Sequence, residues 1–432
     1  MLKSHQLSLF PDMDLPHFSE DTSGTFADNA RLPVHRWFRY SAGFSGAWAA
    51  DLIARECKKR DLWVFDPFAG SGTTLIAAEQ CGAESWGIDS HPFVARVAQG
   101  KLAYRSSLGE FMERAKCVLA SARQRTPAPA LDSYAPLIRK CYTDDALAQL
   151  DCLRRAVEAQ ADDSEASLLA WLSLAAILRP TSHVGTANWQ YLLPNRRKAR
   201  VQEPFAAFDD MTRTMLQDMR ATNGLDTPRA KFTEDDARSC ANVPSEKFNL
   251  VVTSPPYPNN YDYADATRLE LTFFGEIRGW SDLQSNIRQH LLRSCTQHVP
   301  DRTVDLPTIL SRAELAPIRD ELTSVCNELG EVRLTRGGKK TYHNMVACYF
   351  LDLAEVWHSL RRVCRSPSKV CFVIGDSAPY GIYVPAIEWL GTLALSAGFK
   401  SFHFEKTRDR NIKWKNRKHR VPLCEGRLWV EG

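Results

Sequence analysis

Leu62-Trp63-Val64-Phe65-Asp66-Pro67-Phe68-Ala69-Gly70-Ser71-Gly72-Thr73-Thr74 decides the fold. An apolar run of this length, bounded by polar residues, reads as a buried strand. It ends at Asp66, turns through small residues and passes into a helix. A second strand, Ser85-Trp86-Gly87-Ile88, ends at Asp89. Strand, glycine turn, helix and strand form a βαβ unit, which crosses over right-handed onto a parallel sheet.

A glycine turn between strand and helix lets backbone N–H groups approach a ligand closely. A phosphate-binding loop needs Lys after its last glycine, and Thr73 stands there. A dinucleotide fingerprint needs a third glycine for helix packing, which is missing. A third reading is S-adenosylmethionine, its amino-acid part cradled by Phe68, Ala69, Gly70, Gly72 and Thr73 and its ammonium hydrogen-bonded to Asp66 directly or through water, which the family resemblance described below implies. Asp89 is placed to accept both ribose hydroxyls. The bland alternative is that acids at strand ends simply cap the following helices.

A second apolar run, Phe248-Asn249-Leu250-Val251-Val252, leads into Thr253-Ser254-Pro255-Pro256-Tyr257. Two prolines fix φ and remove N–H donors, so this loop presents acceptors in a stiff frame. Ser254 Oγ and the Pro255 carbonyl are suited to accept both hydrogens of an exocyclic base amine. That directs the nitrogen lone pair out of conjugation with the ring, and a preorganised polar frame is the main lever for such chemistry. Tyr257 would stack on the base. The competing reading is a Pro-Pro turn with an ordinary buried tyrosine.

The two segments together resemble the S-adenosylmethionine-dependent amino-methyltransferases of DNA, the N4-cytosine and N6-adenine group, in their Ser-Pro-Pro-Tyr form. The resemblance implies an α/β, Rossmann-like class I methyltransferase core with a helical insertion and a DNA-recognition region. It covers residues 33–105, 230–265 and 345–404. It adds Asp236 and Ala237 as contacts to the cofactor adenine, and Phe44 and Ser45 as a segment packing on the cofactor from the other side. It implies a catalytic loop of Ser254, Pro255, Pro256 and Tyr257 acting on a base flipped out of the duplex. Ser at 254 favours cytosine N4 over adenine N6, whose enzymes more often carry Asp there. In this chain the cofactor motif precedes the catalytic one, whereas many N4-cytosine enzymes run the other way. A 5-methylcytosine mechanism would need a cysteine nucleophile, and Pro422-Leu423-Cys424 has the wrong spacing. The expected setting is a restriction-modification system, with double-stranded DNA as substrate and a restriction endonuclease as candidate partner. The alternatives are an RNA base methyltransferase and a DNA-binding protein that has lost catalysis.

With 432 residues, 44% hydrophobic and 25% charged, the chain can bury a large core. No apolar run is long enough to span a bilayer, and the N-terminus lacks a signal-peptide core, so a cytoplasmic location is expected. The 12 cysteines are scattered without a Cys-x-x-Cys pair and read as reduced core residues, with no metal expected.

Residues 1–30 read as a flexible arm, 31–105 as the cofactor-binding half of the core, and 106–230 as a helical insertion. The core resumes with the catalytic loop over 231–265, and 346–432 completes it with a basic tail. Either the insertion or residues 266–345 could recognise the target sequence. The net charge of +4 says less than its distribution. Lys406, Arg408, Arg410, Lys413, Lys415, Arg417, Lys418 and Arg420 form one cluster suited to phosphate contacts, and Arg196, Arg197 and Lys198 a second. For both, a solvated surface is the competing reading.

Overall fold

The computed structural model describes residues 27–59, 61–125, 131–187, 191–222, 224–259, 261–299, 304–337, 340–410 and 421–432. The expected arm lies almost wholly outside these residues.

Helix α1 (Gly46–Cys57) precedes strand β1 (Trp63–Asp66), helix α2 (Thr73–Gln80), strand β2 (Glu84–Asp89) and helix α3 (Pro92–Leu102). The insertion follows as α4 (Leu108–Gln124), α5 (Pro136–Cys141), α6 (Asp144–Ala159), α7 (Glu165–Thr181), β3 (Val184–Thr186), β4 (Leu192–Arg197) and α8 (Pro204–Ala221). The sheet resumes with β5 (Lys231–Glu234) and β6 (Phe248–Thr253). Short helices α9 (Tyr263–Ala266), α10 (Arg268–Phe273), α11 (Trp280–Asn286) and α12 (Leu306–Leu310) lead to α13 (Arg319–Thr335) and α14 (Tyr342–Val363). Strand β7 (Cys364–Gly375), helix α15 (Ala386–Ser396), and strands β8 (Ser401–Asp409) and β9 (Cys424–Glu431) complete the chain.

Among the described residues one seven-stranded sheet has the order β5-β2-β1-β6-β7-β9-β8. The pairs from β5 to β7 are parallel, and β9 pairs antiparallel with both β7 and β8. The fold is therefore a Rossmann-like α/β methyltransferase fold. The chain reverses at β1, where β2 lies on one side and β6 on the other, and ligands of such sheets bind at this switch point.

Strands buried on both faces read as continuous apolar runs, and β6 is buried at every position. Its Leu250 and Val252 join Val64 in the core beneath α1 and α2. Phe248 and Val251 join Phe65 in the opposite core, together with α14 and α15. The insertion is not a separate unit. Its α4, α6, α7 and α8 share one apolar cluster with Trp37 and Phe38 before β1 and with Leu269 and Leu283 after β6.

The stretch read as a helical insertion also contains the antiparallel pair β3–β4, whose strands are too short to display a period of two. Strand β9 had no counterpart in the sequence reading, although Leu428 and Val430 alternate with Arg427 and Trp429. No helix among the described residues is long and apolar enough to cross a membrane.

Candidate functional site

The carboxyl ends of β1 and β6 are bonded to each other. Asp66 Oδ1 accepts the Thr253 hydroxyl at 2.6 Å and the Phe68 N–H at 3.0 Å. Thr74, in the first turn of α2, donates to the Val252 carbonyl at 3.0 Å. The glycine turn and the Ser254 loop are thus one rigid unit. Burial pushes the Asp66 carboxyl up to about 6, against hydrogen bonds that favour its charge.

Gly70 and Gly72 both have positive φ, at 53° and 85°. A Cβ at Gly70 would stand 2.9 Å from the Tyr40 ring, so the turn needs glycine for both conformation and space. Asp89, at the end of β2, accepts the Gly70 N–H and the His91 N–H, each at 2.9 Å. Burial raises its carboxyl to about 6 as well. Phe68 and Gly70 face the cavity described below, Ala69 is buried, and its N–H bonds the Ile88 carbonyl. Thr73 is buried in the first turn of α2.

The Ser254 loop is braced by three elements. Ser254 Oγ donates to the Val373 carbonyl of β7 at 3.1 Å. Tyr349 of α14 donates to the Pro256 carbonyl at 3.0 Å. The Arg410 guanidinium lies 5.0 Å from the centre of the Tyr257 ring and donates to the Asp376 carbonyl at 2.6 Å. Pro255 is buried.

A cavity joins the two motifs. One wall is Phe68, Gly70, Asp89, Ser90 and His91, and the other is Ser254, Pro256 and Tyr263. Tyr40, Ala42, Leu291 and Leu292 close it.

Several expected residues lie elsewhere. Phe44 packs edge-on against Trp48 in the core under α1, and Ser45 caps α1 by accepting the Trp48 N–H. From this segment Tyr40 and Ala42 line the cavity. Asp236 is gripped by Arg238, at 3.0 and 2.6 Å, and caps a turn because β5 has already ended at Glu234. Ala237 is core. Neither belongs to the cavity wall among the described residues.

Of the basic residues, Arg196 and Arg197 are exposed on β4. Lys198 is held by the Arg179 carbonyl at the end of α7, at 2.6 Å. Lys406 pairs with Asp409 on the surface. Arg408, exposed, and Arg410, largely buried, both pair with the buried Glu425. The cluster is therefore not a uniform phosphate-facing face. Lys413, Lys415, Arg417, Lys418 and Arg420 lie outside the described residues.

His91 and Tyr263 were missed by sequence reasoning. His91 is buried, with Nε2 2.9 Å from the Thr267 hydroxyl, and burial lowers its pKa to about 4, so the ring is neutral. Its place directly after the Asp89 strand end was the available signal.

Residues 18–100 match the DNA methylase family of N6- and N4-methyltransferases. The chain is related to the N4/N6 DNA methylases. It is 25% identical over 420 residues to the type II methyltransferase M.BsoBI of Geobacillus stearothermophilus, covering 87% of this chain and 80% of that one. It is 26% identical over 405 residues to the type II methyltransferase M.AvaI of Nostoc sp. strain PCC 7120, covering 87% and 81%. Similarity to these methylases therefore extends well beyond the glycine turn, through most of the chain.

Proposed function

We propose that this protein is a type II DNA methyltransferase that moves a methyl group from S-adenosylmethionine to the exocyclic amine of a flipped-out base, with cytosine N4 as the target. The observation that carries the reading is the single cavity shared by the glycine-turn wall and the Ser254 wall. The residues present fit S-adenosylmethionine. A side-chain-free turn at Gly70 opens onto the cavity, and the Asp89 carboxylate in its wall complements a pair of hydroxyls; Asp66, at the neighbouring strand end, is buried behind that wall. When bound, the cofactor supplies an electrophilic methyl group on a sulfonium.

The rest of the chemistry belongs to the chain. The Ser254 hydroxyl donates its hydrogen bond to the Val373 carbonyl. A hydroxyl has one donor and two acceptor sites, so Ser254 offers only lone pairs to the cavity. It accepts an amine N–H of the base and favours a pyramidal nitrogen. Its frame is fixed before the substrate arrives, because Tyr349 and Arg410 brace the same loop. The Tyr257 ring, backed by Arg410, supports the base by stacking.

The choice of cytosine rests on Ser at 254. The assignment to a restriction-modification system, acting in the cytoplasm beside a cognate endonuclease, rests on the type II relatives. The test is incubation with tritiated S-adenosylmethionine and unmethylated mixed-sequence DNA, followed by nucleoside analysis. N4-methylcytosine is expected. N6-methyladenine would keep the mechanism and move the target. Label in transfer or ribosomal RNA but none in DNA would overturn the reading.

A further inference from the structure

We propose that Asp262, Cys295 and His298 form a buried site for a zinc-type divalent metal, which fastens the segment after α11 to the catalytic loop. This revises the expectation that the cysteines hold no metal, and it does not depend on the methyl-transfer reading.

The three residues come from two separate stretches. Asp262 caps α9 immediately after the Ser254 loop. Cys295 and His298 flank a short turn with Cys-x-x-His spacing. All three are nearly fully buried, at 5%, 5% and 4% exposure, and their ligand atoms lie within 4.8 Å of one another. A thiol with an imidazole and a carboxylate is the donor set of zinc rather than of magnesium or calcium, which take oxygen alone.

The partners outside the cluster orient it. His298 Nδ1 is 2.9 Å from the Leu292 carbonyl. A carbonyl can only accept, so Nδ1 carries the proton and Nε2 faces Asp262 Oδ1 at 3.3 Å. Metal-bound histidines are fixed by this kind of backbone bond at the other nitrogen. Arg288 holds Asp262 Oδ2 at 2.6 Å, while Oδ1 accepts the Asp265 N–H at 3.3 Å and faces His298.

Two species could stand between Nε2 and Oδ1. A proton would give a charge-assisted bond of about 2.7–2.9 Å. A tetrahedral metal with bonds of about 2.0–2.1 Å holds neighbouring donors about 3.3 Å apart, which is the separation seen. Solvent would fill the fourth position.

The site has a clear mechanical consequence. Leu292, whose carbonyl orients His298, lines the cavity. Asn259, in the catalytic loop, donates to the Ser294 carbonyl at 2.7 Å. A metal here locks the cavity wall to the loop that carries Ser254.

The full-length protein, purified without chelator and dialysed against zinc, should hold about one zinc per chain by elemental analysis. Replacing zinc with cobalt(II) should give a thiolate-to-metal band in the near ultraviolet and intense tetrahedral visible bands. Cys295→Ala should remove the near-ultraviolet band and weaken metal binding by more than about 100-fold. Cobalt titration of the unaltered protein keeps the test decisive if that variant fails to fold. Absence of bound zinc and of a thiolate band in the unaltered protein would overturn the proposal. So would a folded Cys295→Ala protein with the same metal content and the same spectrum.

Discussion

Ser254 is the residue on which the chemistry turns. Its hydroxyl is oriented by Val373, so Ser254→Ala removes both an acceptor facing the cavity and one of the bonds that brace the loop. The turnover number should drop roughly 100- to 1,000-fold, with little change in cofactor affinity. Tritium transfer under single-turnover conditions, with cofactor titration alongside, measures both. Asp66 and Asp89 set a pH dependence. Both carboxyls rise to about 6 in the folded chain, above about 4 for an unfolded carboxylate. The folded chain therefore binds more protons between about pH 4 and 6, and stability falls as pH rises through that window. A ligand that needs both carboxylates ionised shows the opposite trend. Cofactor-induced thermal stabilisation should be larger at pH 7 than at pH 5, and a flat profile would remove these two acids from the binding account.

At the scale of elements, the segment before α1 shows how the insertion shapes the site. Asp218 of α8 accepts the Val34 N–H at 3.0 Å, the Arg36 guanidinium and the Trp37 indole N–H at 2.9 Å. From the other side, Lys101 of α3 donates to the His35 and Phe38 carbonyls at 3.0 and 3.1 Å. Val34 is held at φ 65°, a region a β-branched residue adopts only when its surroundings impose it. This clamped segment delivers Tyr40 against Gly70. Asp218→Ala should cost about 3–5 kcal/mol, because it leaves a guanidinium and two buried donors unpaired. Chemical denaturation measures that loss, and cofactor affinity should fall with it. None of this was legible in the sequence, since Asp218 on an amphipathic helix looks like any solvated acid. Phe44 and Ser45 illustrate the same point, since packing places them in the α1 core and cap while Tyr40 and Ala42 of the same segment line the cavity.

For the whole molecule, the distribution of charge matters more than its total. Arg196 and Arg197 are exposed, whereas Lys198, Arg408 and Arg410 are tied to the protein itself. Replacing Arg196 and Arg197 together with Ala should reduce the slope of log affinity against log salt for DNA by about 2. Lys198→Ala should leave the slope unchanged and lower the melting temperature. Fluorescence anisotropy over a salt series, with a thermal melt, distinguishes the two outcomes. An unchanged slope in the double variant would move the phosphate contacts to another face.

By itself the sequence determined the βαβ unit, the glycine turn and the loop from Thr253 to Tyr257. These are local signals: a buried strand must be a continuous apolar run, a positive φ favours glycine, and a stiff acceptor loop needs its prolines. The tertiary structure decided which side chains meet. Thr253 finds Asp66, Arg410 finds Tyr257, and Asp262 finds Cys295 and His298 only because the sheet order and the insertion bring distant segments together. Such contacts leave no period or spacing in the chain, because a hydrogen bond or ion pair between remote residues places no demand on their sequence neighbours.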